Sequence, residues 1–119
     1  MKEIDLAADC LFCKMASGEI TVEKLHSDEL CFAIRDINPR APVHCMVIPN
    51  EHIATMRDVQ ETHGALLARM FAVANKVAAA EGLAERGYRL AFNVGDDAGM
   101  TIYHIHLHVL GGRQLGAEG

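Results

Sequence analysis

Three histidines stand at alternate positions in Tyr103-His104-Ile105-His106-Leu107-His108-Val109-Leu110, and an apolar residue fills each gap. In an extended chain, side chains two apart share a face, so His104, His106 and His108 would line one side while Ile105, Leu107 and Val109 line the other. Strand rise sets neighbouring members roughly 7 Å apart at Cα and the outer pair about 13 Å apart. Adjacent imidazoles can therefore serve one ligand, but three cannot easily close on one metal ion. A neutral imidazole, with an ordinary pKa near 6.5, is nucleophilic toward phosphorus at neutral pH and can carry protons to a leaving group. The row fits covalent phosphoryl chemistry. A His-x-His metal pair would occupy two of the three and leave the third idle, and simple solvation explains their alignment poorly.

The second constellation is Cys10-Leu11-Phe12-Cys13. The N-terminal stretch has no apolar leader-like run, and no window approaches the roughly 18 apolar residues of a membrane span. A cytoplasmic, reducing setting is expected, and there disulfides are disfavoured. The pair is then a metal-ligand pair, a redox pair or two packing residues; no βαβ pattern follows it to favour redox chemistry. Cys31 and Cys45 sit inside apolar runs and read as buried small hydrophobes. His26 and His63 read as solvated.

These residues need elements to hold them. The chain has 119 residues, is half hydrophobic and 23% charged, and carries a formal charge of −5, which suits a single domain over residues 1–119 with one real core. An acidic chain without a basic run is poorly equipped to displace phosphate counterions, so neither nucleic acid nor membrane is an expected partner. A short helix should follow Cys13, with Phe12, Met15 and Ala16 on one side and Gly18 at its end. Strand-like runs cover Val22 to His26, Leu30 to Arg35, His44 to Ile48 and Tyr88 to Val94, and the histidine row supplies a fifth. From about Gln60 to Glu81, apolar residues recur every three or four positions, which predicts one long helix with Gly82 as its stop. Strands outnumber helices, so the fold class is α+β around an antiparallel sheet.

His104-Ile105-His106-Leu107-His108-Val109-Leu110 resembles the His-φ-His-φ-His-φ-φ motif (φ apolar) of the histidine triad, or HIT, superfamily, and much of the chain resembles its Hint branch. The likeness runs through Leu11-Phe12-Cys13-Lys14, Phe32-Ala33-Ile34-Arg35-Asp36-Ile37-Asn38-Pro39, Ala41-Pro42-Val43-His44, Val47-Ile48-Pro49 and Gly111-Gly112-Arg113-Gln114. It implies a HIT-like fold: a five-stranded antiparallel sheet with one long and one short helix, the sheet extended across a homodimer in which the long helices pack together. It also implies binding of AMP- or GMP-type purine nucleotides and hydrolysis of purine nucleoside 5′-phosphoramidates, with no metal required for catalysis. Dinucleoside polyphosphate cleavage and a non-catalytic nucleotide-binding or scaffolding role are the nearest alternatives.

By the same resemblance His106 is the nucleophile that becomes nucleotidylated, His108 contacts phosphate, and the His104 carbonyl holds the Nδ1 proton of His106. Thr101 stands where the family usually has Ser, near the leaving group. Phe12 and Ile37 resemble base-pocket walls, Asp36 the ribose-binding carboxylate, His44 a cleft histidine, and Asn93 and Gly99 phosphate and ribose contacts. Two departures touch the nucleotide site: Met100 replaces a common Gln, and Ile34 replaces a frequent aromatic. Some triad proteins bind zinc through a C-x-x-C at this position, the histidine after the Val-Ile-Pro strand and the first triad histidine. Cys10, Cys13, His52 and His104 match that set, which implies a structural Zn2+.

Overall fold

Five strands and two helices carry the predicted α+β architecture in a computed structural model that describes residues 9–119. The strands are β1 (His26–Ser27), β2 (Cys31–Arg35), β3 (Val43–Pro49), β4 (Tyr88–Ala91) and β5 (Leu107–Gly111); the helices are α1 (Leu11–Ser17) and α2 (Gly64–Ala80). All pairings are antiparallel, in the order β1-β2-β3-β5-β4. Period-two alternation gives the sheet two apolar faces. Ala33, Cys45, Val47, Leu107 and Val109 pack with Met70, Val73, Ala74 and Val77 of α2. Phe32, Ile34, Met46 and Ile48 form a second cluster with Phe12 of α1. Fully burying each larger side chain contributes about 1.5–3 kcal/mol.

α2 is shorter at its start than the periodicity predicts. Met56–Asp58 and Glu61–His63 are 3-10 turns, and the Gln60 amide donates to His63 Nδ1 at 2.9 Å. His63 therefore caps a turn rather than standing solvated. At the other end Gly82, at φ 82°, donates to Ala79 O, and the buried Leu83 donates to Ala78 O. This is the left-handed stop expected of that glycine.

Three predicted strands are shorter in the structure by two or more residues. Val22 to His26 was expected to pair, but only His26–Ser27 does. The chain is then fixed by Asp28, whose Oδ1 accepts from the Leu30 and Cys31 amides while Oδ2 meets His26 Nε2 at 2.5 Å and Arg69 at 3.2 Å. Burial alone would raise the Asp28 carboxyl, yet His26, these amides and Arg69 hold it well below the usual carboxylate range. His26 is thus a half-buried hydrogen-bond partner of Asp28, which corrects the solvated reading. The strand predicted over Tyr88 to Val94 stops at Ala91. In the histidine row, ladder pairing begins only at Leu107, opposite Val47. Before it, the Ile105 amide donates to Ile53 O at 2.8 Å, so this segment bonds to the chain that follows β3 instead of to β3 itself. The alternation of faces survives the departure: Ile105 joins the α2 side, and the histidines stay on the other.

Candidate active site

The α1 side of the sheet holds a cleft of about 480 Å³. α1 is only seven residues long, so it covers part of that face and leaves the rest open. His106 and His108 form the cleft floor, with Phe12, Asp36, Ile37, Asn93, Gly99 and Thr101 around them. Each of these was predicted from the sequence. Ile37 is 91% exposed at the rim, free to lie against a flat ligand. His44 and Met100 sit elsewhere: His44 is buried behind His108, and Met100 is buried off the cleft wall. Sequence reasoning missed Leu11, Met15, Val22, Arg40 and Met46, which also line it. Met46 could have been found from the sheet register, since it pairs with both Ile34 and His108.

Hydrogen bonds assign the proton positions on the imidazoles. His106 Nδ1 lies 2.8 Å from the His104 carbonyl, which can only accept, so Nδ1 carries the proton and Nε2 keeps its lone pair. The Arg40 amide donates to His44 Nδ1 at 3.2 Å. That leaves the His44 proton on Nε2, which donates to His108 Nδ1 at 2.9 Å. His108 must then carry its proton on Nε2. The row therefore presents an acceptor at His106 beside a donor at His108, their rings 4.9 Å apart.

Burial keeps these rings neutral. It pushes His108 down to about 4, helped by repulsion from His106, His44 and Arg40. His44 is also lowered by burial, against the pull of Asp36, whose Oδ2 lies 3.4 Å from His44 Nε2. Burial lowers His106 too, despite the opposing His104 carbonyl and Asp36. A neutral His106 with a free Nε2 is the form that can attack phosphorus.

The loop above the floor is pinned at both ends. Asp96–Ala98 is a 3-10 turn closed by Gly99, at φ 89°, and the Tyr103 hydroxyl donates to Asp96 Oδ1. Gly95, at φ 83°, lies under Arg57; a Cβ there would fall 2.5 Å from Arg57 Nη2. The positive φ favours glycine there, and a side chain would also have to displace the end of Arg57.

His104 faces away from the cleft and is fully buried. Its Nε2 donates to the Pro49 carbonyl at 2.8 Å, and burial lowers its pKa to about 4. Its Nδ1 lies 3.3 Å from Cys10 Sγ and 3.5 Å from Cys13 Sγ, and His52 Nδ1 lies 3.3 Å from Cys13 Sγ. The four ligand atoms fall within 4.8 Å of one another. Tetrahedral zinc, with bonds of about 2.3 Å to sulfur and about 2.0 Å to nitrogen, requires S···N edges of roughly 3.5 Å. The donor set fits, and the Pro49 contact is the outer hydrogen bond that such a histidine usually has. These residues could hold a metal ion. Cys31 and Cys45 are fully buried, their thiols pushed up to about 11 by burial, which makes them inert packing groups.

Comparison with known proteins agrees with this geometry. Residues 17–115 match the model of the HIT domain. A purine nucleoside phosphoramidase of Escherichia coli (strain K12) is 46% identical over 111 residues, covering 93% of each chain. The crystal structure of a HIT family hydrolase from Legionella pneumophila superposes with a TM-score of 0.89 at 51% identity, over 92% of this chain and 99% of that one. A Zn-bound histidine triad family protein from Mycobacterium smegmatis superposes with a TM-score of 0.75 at 33% identity, over 90% of this chain and 77% of that one. The domain match, the identity to a relative over nearly the whole chain and the superposition agree, and the chain belongs to the HIT domain family.

Proposed function

We propose that this protein, working as one HIT domain, hydrolyses purine nucleoside 5′-phosphoramidates through a nucleotidyl-His106 intermediate. The observation that carries the reading is the His104 carbonyl on His106 Nδ1, which leaves Nε2 as a free nucleophile on the floor of a nucleotide-sized cleft. The similarity to a purine nucleoside phosphoramidase over nearly the whole chain supports the substrate class.

In the first half-reaction His106 Nε2 attacks the α-phosphorus. The new N–P bond forms as the bond to the amine breaks, and the Thr101 hydroxyl passes a proton taken from solvent to the departing nitrogen. His106 becomes cationic, and its Nδ1–H bond to the His104 carbonyl strengthens as that charge develops. His108 Nε2–H donates to the phosphate oxygens, with His44 holding the ring in the tautomer that can donate. Asp36 accepts from the ribose hydroxyls, Asn93 and Gly99 contact phosphate and ribose, and Phe12 and Ile37 flank the base. Water then attacks phosphorus, releases His106 and the nucleoside monophosphate, and returns the relayed proton. Positioning and electrostatics supply most of the rate.

Cys10, Cys13, His52 Nδ1 and His104 Nδ1 would hold a structural Zn2+, which supplies cross-linking of the N-terminal segment to the histidine row and no reaction chemistry. The assembly we propose is a homodimer. β4 is the outer strand of its sheet, and Phe71 of α2 is 40% exposed against Phe92; both are surfaces a second copy could cover. Light scattering should give twice the 13.0 kDa chain mass.

The test of the reaction is a panel of adenosine and guanosine phosphoramidates and dinucleoside polyphosphates, assayed with wild type and His106→Ala. Amine and nucleoside monophosphate should appear with wild type alone, and rapid quench should trap the nucleotidyl protein. Substantial turnover by the variant overturns the mechanism. Zinc is tested by elemental analysis of protein purified without chelator.

A further inference from the structure

We infer that metal loading and nucleotide binding are thermodynamically coupled in this chain, so that the cysteine–histidine centre sets nucleotide affinity as well as stability. This rests on the nucleotide and zinc assignments proposed above. It goes beyond them because a purely structural metal need not communicate with the cleft.

The link is covalent and short. The two residues between the cysteines, Leu11 and Phe12, both line the cleft. Phe12 is 1% exposed, and its ring stands edge-on to His104 at 5.8 Å and to His106 at 5.1 Å. One aromatic ring therefore touches a candidate metal ligand and the candidate nucleophile. His104 makes the second link: its side chain points at both sulfurs while its carbonyl holds the His106 proton. Among the described residues no comparable bridge joins His52 to the cleft: its contacts run to Cys13 and His104.

α1 cannot fix this wall alone. A seven-residue helix lies far below the length at which isolated helices persist in water. Its N-cap Cys10 makes no side-chain capping bond. α1 is held by the burial of Phe12, the packing of Met15 and Ala16 on the same cluster, and the sulfur contacts to His104 and His52. A metal bridging those contacts would remove the conformational freedom of the Cys10–Cys13 turn before nucleotide arrives, and a preorganised wall binds more tightly than one ordered on binding. Coupling free energy is reciprocal, so nucleotide must raise zinc affinity by the factor by which zinc raises nucleotide affinity.

The experiment is a two-way titration by calorimetry. AMP affinity is measured on zinc-loaded and chelator-stripped protein, and zinc affinity is measured by chelator competition with and without saturating AMP, after correction for zinc held by free AMP. Both ratios should agree, at about 5-fold or more. His52→Ala, which touches no cleft residue, should lower AMP affinity toward the stripped value, and His52→Cys, which restores a ligand, should recover it. Circular dichroism reports whether stripped protein stays folded; if it does not, the zinc titration on loaded protein decides alone. Equal zinc affinities with and without AMP overturn the coupling and leave both assignments standing. A chain that takes up no zinc, or binds no AMP when loaded, overturns the coupling together with the corresponding assignment.

Discussion

The two faces of the sheet come from the same strands and end in opposite uses. On one, the 17-residue α2 lies across the sheet and closes it with Met70, Val73, Ala74 and Val77. On the other, the seven-residue α1 covers only part of the surface, and the uncovered part is the cleft. The length of the covering helix decides where a ligand can enter. Residue choice follows: the closed face takes Cys31, Cys45, Val47 and Leu107, while the open face interleaves Met46 and Ile48 with His44, His106 and His108.

A paired experiment would break this division most directly. His106→Ala should lower turnover by about 10⁴-fold or more, with AMP still bound and the urea midpoint little changed. Met70→Ala should do the reverse. Met70 is fully buried under α2, and its truncation should cost about 2–5 kcal/mol in urea unfolding, while turnover per folded molecule stays within twofold. Loss of turnover in folded Met70→Ala protein would show that the closed face also shapes the site.

A smaller effect separates His108 from the ring behind it. If His44 acts by fixing the His108 tautomer, His44→Ala should lower kcat by about 10- to 100-fold and leave KM for the nucleotide nearly unchanged. Unchanged kcat would mean that His108 keeps its donor without help. The same pair predicts a stability profile. Burial, helped by repulsion from His106, His44 and Arg40 and opposed by Asp36, pushes His108 down to about 4 in the folded chain against an ordinary 6.5. Between those values the unfolded chain binds a proton that the folded chain does not, so stability falls as pH drops from about 6.5 toward about 4. Urea midpoints at pH 7.5, 6.0 and 5.0 should decline in that order, and the decline should shrink in His108→Asn.

Much of this was legible in the sequence because period-two alternation is local. The histidine row, the α2 stripe and the Gly82 stop all declare themselves within a few residues. The extent of pairing does not: whether Tyr103 to His106 joins the ladder depends on Ile53, distant in sequence, taking the Ile105 amide. Likewise nothing in the composition around Asp28 shows that His26 and Arg69 converge on it. The Arg40 amide that orients His44 was hidden because a backbone donor leaves no trace in residue type. The candidate metal ligands lie partly outside the matched HIT segment, which begins at residue 17. For them, chain folding brings Cys10 and Cys13 to His104 across 94 and 91 positions of sequence.

The smallest effect concerns the loop that joins the two kinds of surface. Gly99 and Thr101 reach the cleft from a turn held by Tyr103 on Asp96 and by Arg57 over Gly95. Tyr103 stands next to His104, so its hydroxyl ties the loop that carries Gly99 and Thr101 to the histidine row. The bond is exposed to solvent, and removing one such hydrogen bond should cost about 0.5–1.5 kcal/mol. Because Tyr103 touches none of the reacting atoms, Tyr103→Phe should raise KM by about two- to tenfold, the fold-change that this energy allows, and hold kcat within twofold. Asp96→Asn keeps an acceptor at the same place and should retain most of the wild-type KM, whereas Asp96→Ala should match Tyr103→Phe. An effect on kcat with KM unchanged would instead place the loop's contribution in the transition state, and the cleft would then be organised by its roof as much as by its histidine floor.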